Sequence, residues 1–248
     1  MIATGERMTM RMADVDAVIL AGGLGTRLRA VVADRPKVMA VINGRPFLNY
    51  LFDQLITAGI ARVVLCTGYL SRQIQSCVGD SYRTLSIVHS VESVPLGTAG
   101  ALRLALQMLQ SDPALVMNGD SYCAVPLERF WLSHLSSKAA ASLVLARLSN
   151  TERYGRVKLG AGDEVIGFEE KSGTPDQGLI NAGIYLIHRS LIDEIPIDRA
   201  VSLEREVFPN WIGRGFYGFK TDGKFLDIGT PESYASATAF FAGGSMMT

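Results

Sequence analysis

The feature that most constrains this chain is a change of hydrophobic period, repeated along its first half. Short runs rich in β-branched residues, at 17–20, 62–67, 85–90, 114–118 and 142–146, alternate with stretches of helical pattern at 47–58, 71–78, 98–110 and 127–136. In the first of those stretches apolar residues fall at 48, 51, 52, 55 and 56, one face of a helix, and Gly59 stands where that helix should end. Strands alternating with helices of this length predict βαβ units and an α/β fold. The expected architecture is a single Rossmann-like wound, mostly parallel sheet with helices on both faces.

The second half reads as antiparallel. Residues 155–159 and 165–170 flank the turn Gly160-Ala-Gly-Asp163, and residues 216–220 and 224–228 flank Asp222-Gly223; each pair is expected to close as a hairpin. Residues 181–187 form another strand candidate. A last helix over 231–241 has Thr230 to cap it, Pro231 at its first position and Glu232 in its first turn. No linker-like stretch separates the halves, so 15–242 is read as one domain carrying a small antiparallel lobe. Residues 1–14 are expected to be disordered, and Met8, Met10 and Met12 leave the start of translation open. There is no internal repeat, and no hexapeptide array follows Phe241.

Composition narrows the partners. Of 248 residues 48% are hydrophobic, enough for one sizeable core. Lys+Arg and Asp+Glu balance at 24 each, without the basic excess that nucleic acid or an anionic membrane would draw on. No run of 18 apolar residues exists, and the N-terminus carries Arg7 and Arg11 without the apolar stretch of a secretory signal. Cys66, Cys77 and Cys123 form no C-x-x-C pair and read as reduced, core or near-core thiols. The expectation is a cytoplasmic protein that binds neither nucleic acid nor membrane.

An apolar strand runs straight into a glycine loop, Ala17-Val-Ile-Leu-Ala-Gly-Gly-Leu-Gly-Thr-Arg-Leu28. Glycines let backbone N–H groups approach phosphate oxygens, and Arg27 adds a fork of donors suited to phosphate. Ten residues on, Pro36-Lys37 supplies a second cation, and together the two could clamp a triphosphate. A dinucleotide fingerprint would need G-x-G-x-x-G, but Gly23-Leu-Gly25 is followed by Leu28 and no acidic residue ends the second strand near 67. A P-loop would need Gly-Lys-Ser/Thr after four spacers, which is absent. A glycine cluster that merely turns the chain stays open at this point, as does a plain surface role for Lys37.

Gly22-Gly-x-Gly-Thr-Arg-Leu28 followed by Pro36-Lys37 resembles the signature of the sugar-1-phosphate nucleotidyltransferase family. The resemblance continues, in order, over roughly residues 15–240. Pro95-Leu-Gly-Thr-Ala-Gly100 is similar to the family's base-contacting loop, and Asn118-Gly-Asp120 to its metal-binding strand end. Tyr154-Gly155, Phe168-Glu-Glu-Lys171 and Asn181-Ala-Gly183 resemble three sugar-side segments. Leu226-Asp-Ile-Gly-Thr-Pro231 resembles the segment bearing a second metal-binding aspartate. Val38 and Ser172 stand where many members have proline, which touches loop shape rather than chemistry.

The resemblance implies a reaction and a set of roles. A sugar-phosphate oxygen would attack the α-phosphorus of a nucleoside triphosphate, with Mg²⁺ held by Asp120 and Asp227. Taken singly, Asp120 could be a turn residue and Asp227 a partner for Lys224. Arg27 and Lys37 would neutralise phosphates. Leu20, Ala21, Gly22, Gly23, Gly25 and Thr26 would carry the nucleotide, with Glu92, Gly97 and Thr98 around the base. Lys171 would hold the sugar phosphate, and Glu170, Asn181 and the backbone at Gly155 would read sugar hydroxyls, completing a sugar-binding lobe. Glu169 is expected to face solvent. His89, His134, His188, Tyr185 and Trp211 are read as structural, since an ionised phosphate needs no nucleophilic triad.

Glu92 bears on the choice of base. An ionised carboxylate only accepts hydrogen bonds, which suits the adjacent N1–H and N2–H₂ donors of guanine better than uracil or thymine. Within the family the chain looks most like the D-glycero-α-D-manno-heptose 1-phosphate guanylyltransferases, on the glycine loop through Arg29, Gly68-Tyr69, and Glu92 with Pro95-Leu-Gly-Thr98. That resemblance implies GTP and a heptose 1-phosphate as substrates, in surface glycan synthesis, with a homodimer left open. The alternatives are a MurNAc-, GlcNAc- or hexose-1-phosphate transferase using UTP or GTP, and a non-catalytic subunit that binds an NDP-sugar. The presence of Arg27, Lys37, Asp120, Lys171 and Asp227 together disfavours the last.

Overall fold

The β-branched runs of the first half become the middle of one large sheet. The computed structural model describes residues 10–242, apart from 24, 26, 29–30, 33–34, 172–175 and 198. Its strands are β1 (Ala17–Leu20), β2 (Val41–Ile42), β3 (Arg45–Pro46), β4 (Arg62–Thr67), β5 (Ser81–Tyr82), β6 (Leu85–Val91), β7 (Ala114–Asn118), β8 (Ser121–Cys123), β9 (Ala141–Leu148), β10 (Arg156–Leu159), β11 (Val165–Glu169), β12 (Gly178–Ile187), β13 (Phe216–Thr221) and β14 (Phe225–Asp227). The α-helices are α1 (Phe47–Thr57), α2 (Ser71–Val78), α3 (Gly97–Ala105), α4 (Leu127–Ser136), α5 (Arg189–Asp193), α6 (Phe208–Trp211) and α7 (Pro231–Ala242).

β7, β1, β4 and β6 lie parallel, with Leu20 paired to Asn118 on one side and to Cys66 on the other. Their C-terminal ends therefore share one rim. β12 runs antiparallel between β7 and β9, and β13 runs parallel to β9. The antiparallel part is thus rooted inside the sheet: the end of β12 pairs with β7, while its start meets β10, which forms the expected hairpin with β11.

The hairpin expected over 216–228 does not form. β13 extends the main sheet beside β9, whereas β14 leaves it and pairs antiparallel with β8. Asp222-Gly223 lies in the bend between them, where the Gly223 N–H donates to Thr221 Oγ1 at 3.1 Å. Turn chemistry marks a bend, but the partner of each strand is decided by the surfaces it can bury, which are set elsewhere in the chain.

Alternation along β1 shows how the sheet is covered. Ile19 joins an apolar cluster with Phe47, Leu51, Phe52 and Leu65, while Val18 joins a second with Leu102, Tyr185, Phe208 and Trp211. The α1 stripe is fully buried at Leu48, Leu51, Phe52 and Leu55. That helix stops with Gly59 N–H on Ile56 O (2.9 Å) and Ile60 N–H on Leu55 O (3.0 Å), the paired bonds of a glycine-terminated helix. α3 is shorter than its pattern suggests, and Leu106–Met108 close as a 3-10 turn. Of the segment read as disordered, Met12–Asp14 form a 3-10 turn with Met12 buried, and residues 1–9 lie outside the described residues.

Cys66 and Cys123 are buried, and burial pushes both thiols up to about 12. Cys77 departs from expectation: it is exposed, because the short α2 buries Ile74 alone. Tyr185 and Trp211 are core residues. His134 is buried with Nδ1 2.8 Å from Ser142 Oγ, and burial, followed by His188, lowers it to about 4. His188 Nδ1 lies 2.9 Å from Asp112, and His89 Nε2 lies 2.8 Å from Gly79 O. Among the described residues no helix is long and apolar enough to cross a membrane.

Candidate functional site

The glycine loop leaves the sheet where three parallel strands end together. Ala21 N–H bonds Cys66 O at 2.8 Å and Gly119 N–H bonds Leu20 O at 2.9 Å, so the backbone after β1 is pinned to the ends of β4 and β7. A cavity of about 380 Å³ opens there, within the range of small-molecule sites. Leu20, Ala21, Gly22 and Gly23 line it from the loop, and Lys37 and Val38 from the segment that follows. Glu92 and Pro95 line it from the β6–α3 connection, Gly97 and Thr98 from the start of α3, and Asn118 and Asp120 from the end of β7. Gly25 packs beside this set, the position of a Cβ there being 3.2 Å from Lys37 Cβ. Arg27 is exposed and is not part of the lining. Thr26, Leu24 and Arg29 lie outside the described residues, as does Ser172.

The two aspartates converge through backbone pairing. β14 lies against β8 with Asp227 opposite Ser121, and Ile228 N–H donates to Asp120 O at 2.9 Å. Asp120 follows the main sheet, but Asp227 arrives on the separate two-stranded ribbon, not on the sheet's own rim. Lys37 Nζ donates to Asp120 Oδ2 at 2.7 Å. Asp227 Oδ1 accepts from Gly229 N–H at 2.8 Å, while Oδ2 accepts from the Tyr154 hydroxyl and lies 3.8 Å from Arg153. Burial, then the bond to Asp227, raises the Tyr154 phenol above its ordinary value. Among the described residues no group of three or more His, Cys, Asp or Glu side chains forms a metal cage. Asp120 lines the cavity while Asp227, on the neighbouring ribbon strand, does not; carboxylates brought together in this way are the kind of donor set a hard cation uses when phosphates complete its shell. The Lys37 ammonium, already seated on Asp120, shows that a cation is accommodated there.

Glu92 follows β6, its N–H bonded to Thr67 O at 2.8 Å. Oε2 accepts from Leu96 N–H at 2.7 Å, and Oε1 rests so close to Gly22 that a Cβ on that glycine would collide with it. Burial raises the Glu92 carboxyl above its ordinary value, with the Leu96 N–H opposing. One further carboxylate lines the cavity and carries no local signal in the sequence: Glu204, from the π-helical turn Leu203–Val207. In Leu203-Glu-Arg-Glu-Val207 it reads as one more surface charge. Tyr154 was visible only as part of a motif, not as a partner of Asp227.

Gly155, Glu170, Lys171 and Asn181 are not part of the cavity lining. β12 changes register between Asn181 and Tyr185, and there Gly183, at φ +75, passes so close that a Cβ would sit 2.6 Å from Ser121 Oγ. Asn181 Nδ2 donates to Tyr185 Oη at 2.9 Å and its Oδ1 accepts from Gly183 N–H at 2.8 Å. Gly155 backs onto Glu169 O. Glu170 and Lys171 are exposed at the end of β11. Glu169 is drawn into ion pairs with Arg156 (2.9 Å) and Lys158 (2.7 Å).

Known proteins resemble this chain over most of its length. The family described as Nucleotidyl transferase matches residues 16–243. The D-glycero-alpha-D-manno-heptose 1-phosphate guanylyltransferase of Aneurinibacillus thermoaerophilus is 38% identical over 90% of this chain and 96% of its own length. The mannose-1-phosphate guanylyltransferase of Mycobacterium tuberculosis is also 38% identical over 91% of this chain, which spans 64% of that relative. Among solved structures, HddC from Yersinia pseudotuberculosis complexed with GMP-PN matches with a TM-score of 0.82 at 33% identity, over 92% of this chain and 99% of the other.

Proposed function

Since this chain belongs to the nucleotidyl transferase family, we propose that it transfers GMP from GTP to D-glycero-α-D-manno-heptose 1-phosphate, forming GDP-heptose and pyrophosphate. The observation that carries this reading is the single cavity shared by the glycine loop, Lys37, Asp120 and the Glu92 carboxylate. The heptose 1-phosphate guanylyltransferase relative supports the choice of sugar, and the GMP-PN in the related HddC structure supports the base.

In the proposed reaction a sugar-phosphate oxygen bonds to the α-phosphorus as the bond to the β-phosphate oxygen breaks, and pyrophosphate leaves with that electron pair. Both reactants are anions, so alignment and charge neutralisation are the main demands. Leu20, Ala21, Gly22 and Gly23 present their backbone to the nucleotide, and Lys37 and Arg27 offset triphosphate charge. Glu92 accepts from guanine N1–H and N2–H₂. Gly97 and Thr98 flank the base. Lys171 receives the sugar phosphate on the lobe side, with Glu170, Asn181 and Gly155 toward the sugar hydroxyls. Asp120 and Asp227 would hold Mg²⁺, which supplies Lewis-acid neutralisation of phosphate oxygens when bound. A cytoplasmic enzyme feeding surface glycan assembly fits this chemistry.

A pyrophosphate-release assay with Mg²⁺, crossed over NTPs and sugar 1-phosphates, tests the reading. GTP with the heptose phosphate is expected to give the highest kcat/KM. Equal rates with mannose 1-phosphate, or with UTP, would overturn the substrate assignment, and no release with any pair would favour a binding subunit.

A further inference from the structure

Resting on that reading of the cavity, we propose that Glu204 selects substrate by accepting a hydrogen bond from a sugar-ring hydroxyl. Its backbone is fixed before any ligand arrives. The strap that carries it is tied to the start of α3 by Val201 N–H on Leu96 O (2.8 Å), Ala99 N–H on Val201 O (2.9 Å) and Leu203 N–H on Thr98 Oγ1 (2.8 Å). Phe208, just beyond, packs on Tyr185 with ring centroids 5.0 Å apart. A side chain mounted this way is held in position rather than free to swing.

The carboxylate is used on one side only. Oε2 accepts from Thr98 Oγ1 and from Ser202 Oγ, each at 3.0 Å. Oε1 has no hydrogen-bond partner, and no cation pairs with Glu204, among the described residues. It is not one of the sealed polar atoms of the interior, and the residue lines the cavity. A strap alone would be served by any acceptor. A carboxylate that leaves one charged oxygen toward a cavity built for two anionic substrates is unfavourable there unless a donor meets it.

Carboxylates only accept, so the group that meets Oε1 must carry O–H or N–H. Phosphates carry neither at neutral pH, and they belong beside Lys37. The base donors are matched to Glu92. What remains on a nucleoside triphosphate or a sugar 1-phosphate is a ring hydroxyl, on the ribose or on the pyranose. Asn118, which shares the cavity lining with Glu204, is linked through the Tyr185 hydroxyl to Asn181 on the lobe side, so both sources are within the architecture.

The experiment compares the parent with Glu204→Gln on substrates lacking single hydroxyls: 2′-deoxy-GTP, 3′-deoxy-GTP, and the 2-deoxy and 3-deoxy sugar 1-phosphates. It is run on whichever NTP and sugar phosphate the parent turns over, so a different substrate pair sinks the proposed function and leaves this comparison intact. Parent kcat/KM is expected to fall roughly 10- to 100-fold for one analogue. Glu204→Gln should lose a similar factor on the full substrate and no longer distinguish that analogue. The analogue affected names the source, ribose or pyranose. Ser202→Ala, which cuts the strap but leaves Oε1, should keep the parent's discrimination. If Glu204→Gln melts early by circular dichroism, Glu204→Asp takes its place. Undiminished turnover of every analogue by the parent, or unchanged discrimination in the variant, overturns the assignment and leaves Glu204 a strap.

Discussion

The ammonium of Lys37 lies 2.7 Å from Oδ2 of Asp120 and on its other side faces Gly229, whose N–H holds Oδ1 of Asp227. A lysine so placed is the counter-ion of Asp120, beside the backbone turn that holds Asp227. The lysine side chain is 11% exposed and the aspartate 46%, so the pair is open on the carboxylate side, where a ligand can reach it. In the proposed reaction a divalent cation drawn to Asp120 would compete with this ammonium, and an arriving triphosphate would offer the ammonium new partners. Metal and nucleotide are therefore expected to bind together more readily than metal alone.

Lys37→Met isolates that competition. Without nucleotide, the variant should bind Mn²⁺ several-fold more tightly than the parent in an EPR titration. Turnover should nevertheless fall on the order of 10²–10³, the usual loss for one electrostatic stabiliser. A variant that binds Mn²⁺ no better than the parent would show that the ammonium does not guard the site.

Tyr154 is expected to act through Asp227. Its hydroxyl donates to Oδ2 and its ring packs edge-on against Phe225, with centroids 5.7 Å apart. Tyr154→Phe removes the hydroxyl and keeps the packing. Partners of this kind typically contribute 10- to 100-fold in metal affinity or activity. The Mg²⁺ concentration for half-maximal turnover should rise by about 10-fold, while nucleotide affinity measured without metal stays put. A uniform loss of stability and activity with no change in metal dependence would make the hydroxyl structural.

In the proposed role Glu92 links base choice to pH. Acceptance from both guanine N–H groups needs the ionised carboxylate, and burial raises its pKa, so the acid limb of kcat/KM for GTP should lie above the ordinary glutamate range. Glu92→Gln should flatten that limb and narrow the gap between GTP and UTP, by about 1.5–3 kcal/mol for one charge-assisted bond. The stability sign runs the other way. A raised carboxyl pKa means the folded chain holds the proton more tightly than the unfolded one, a contribution present at low pH and lost as pH rises through the folded value. At neutral pH the variant should therefore melt no lower than the parent. An acid limb that persists in Glu92→Gln would assign it to another group.

How much of this could be read beforehand depends on distance along the chain. The α1 stripe and its glycine stop and the β10–β11 hairpin are local patterns, and each forms where its residues indicate. The partner of β14 is not local: Asp222-Gly223 looks like a hairpin turn, yet Phe225 finds Cys123 about a hundred residues earlier. Glu204 carries no local pattern for the same reason, since only the folded strap brings it to Thr98. Cys77 shows the limit of reading a thiol as core from its neighbours alone. Asp120 and Asp227 were legible as motif residues, but the ribbon that joins them was not.

That ribbon makes a sharp demand on the two aspartates. Because Asp227 sits opposite Ser121 and Ile228 N–H holds Asp120 O, the two residues are placed relative to each other by backbone pairing. Replacing either with asparagine leaves those backbone bonds intact, so the fold should survive, and a neutral side chain beside the remaining carboxylate relieves like-charge repulsion. If the two act as one unit on a metal, Asp120→Asn and Asp227→Asn should each lower kcat on the order of 10²–10³ under saturating Mg²⁺. The double variant should be little worse than either, since groups serving one function are strongly non-additive. The two variants should also separate by their remaining partners. Asp120→Asn frees Lys37 from its ion pair, whereas Asp227→Asn leaves Lys37 bound to Asp120 and loses a charged acceptor for Tyr154 and Arg153. Nucleotide affinity without metal should therefore change more in Asp120→Asn. Turnover in all three variants, metal-free GTP binding by calorimetry and circular dichroism as the folding control decide the matter. A folded single variant that keeps most of its activity, or a double variant whose loss is the product of the two, would mean that the aspartates do not share one ion.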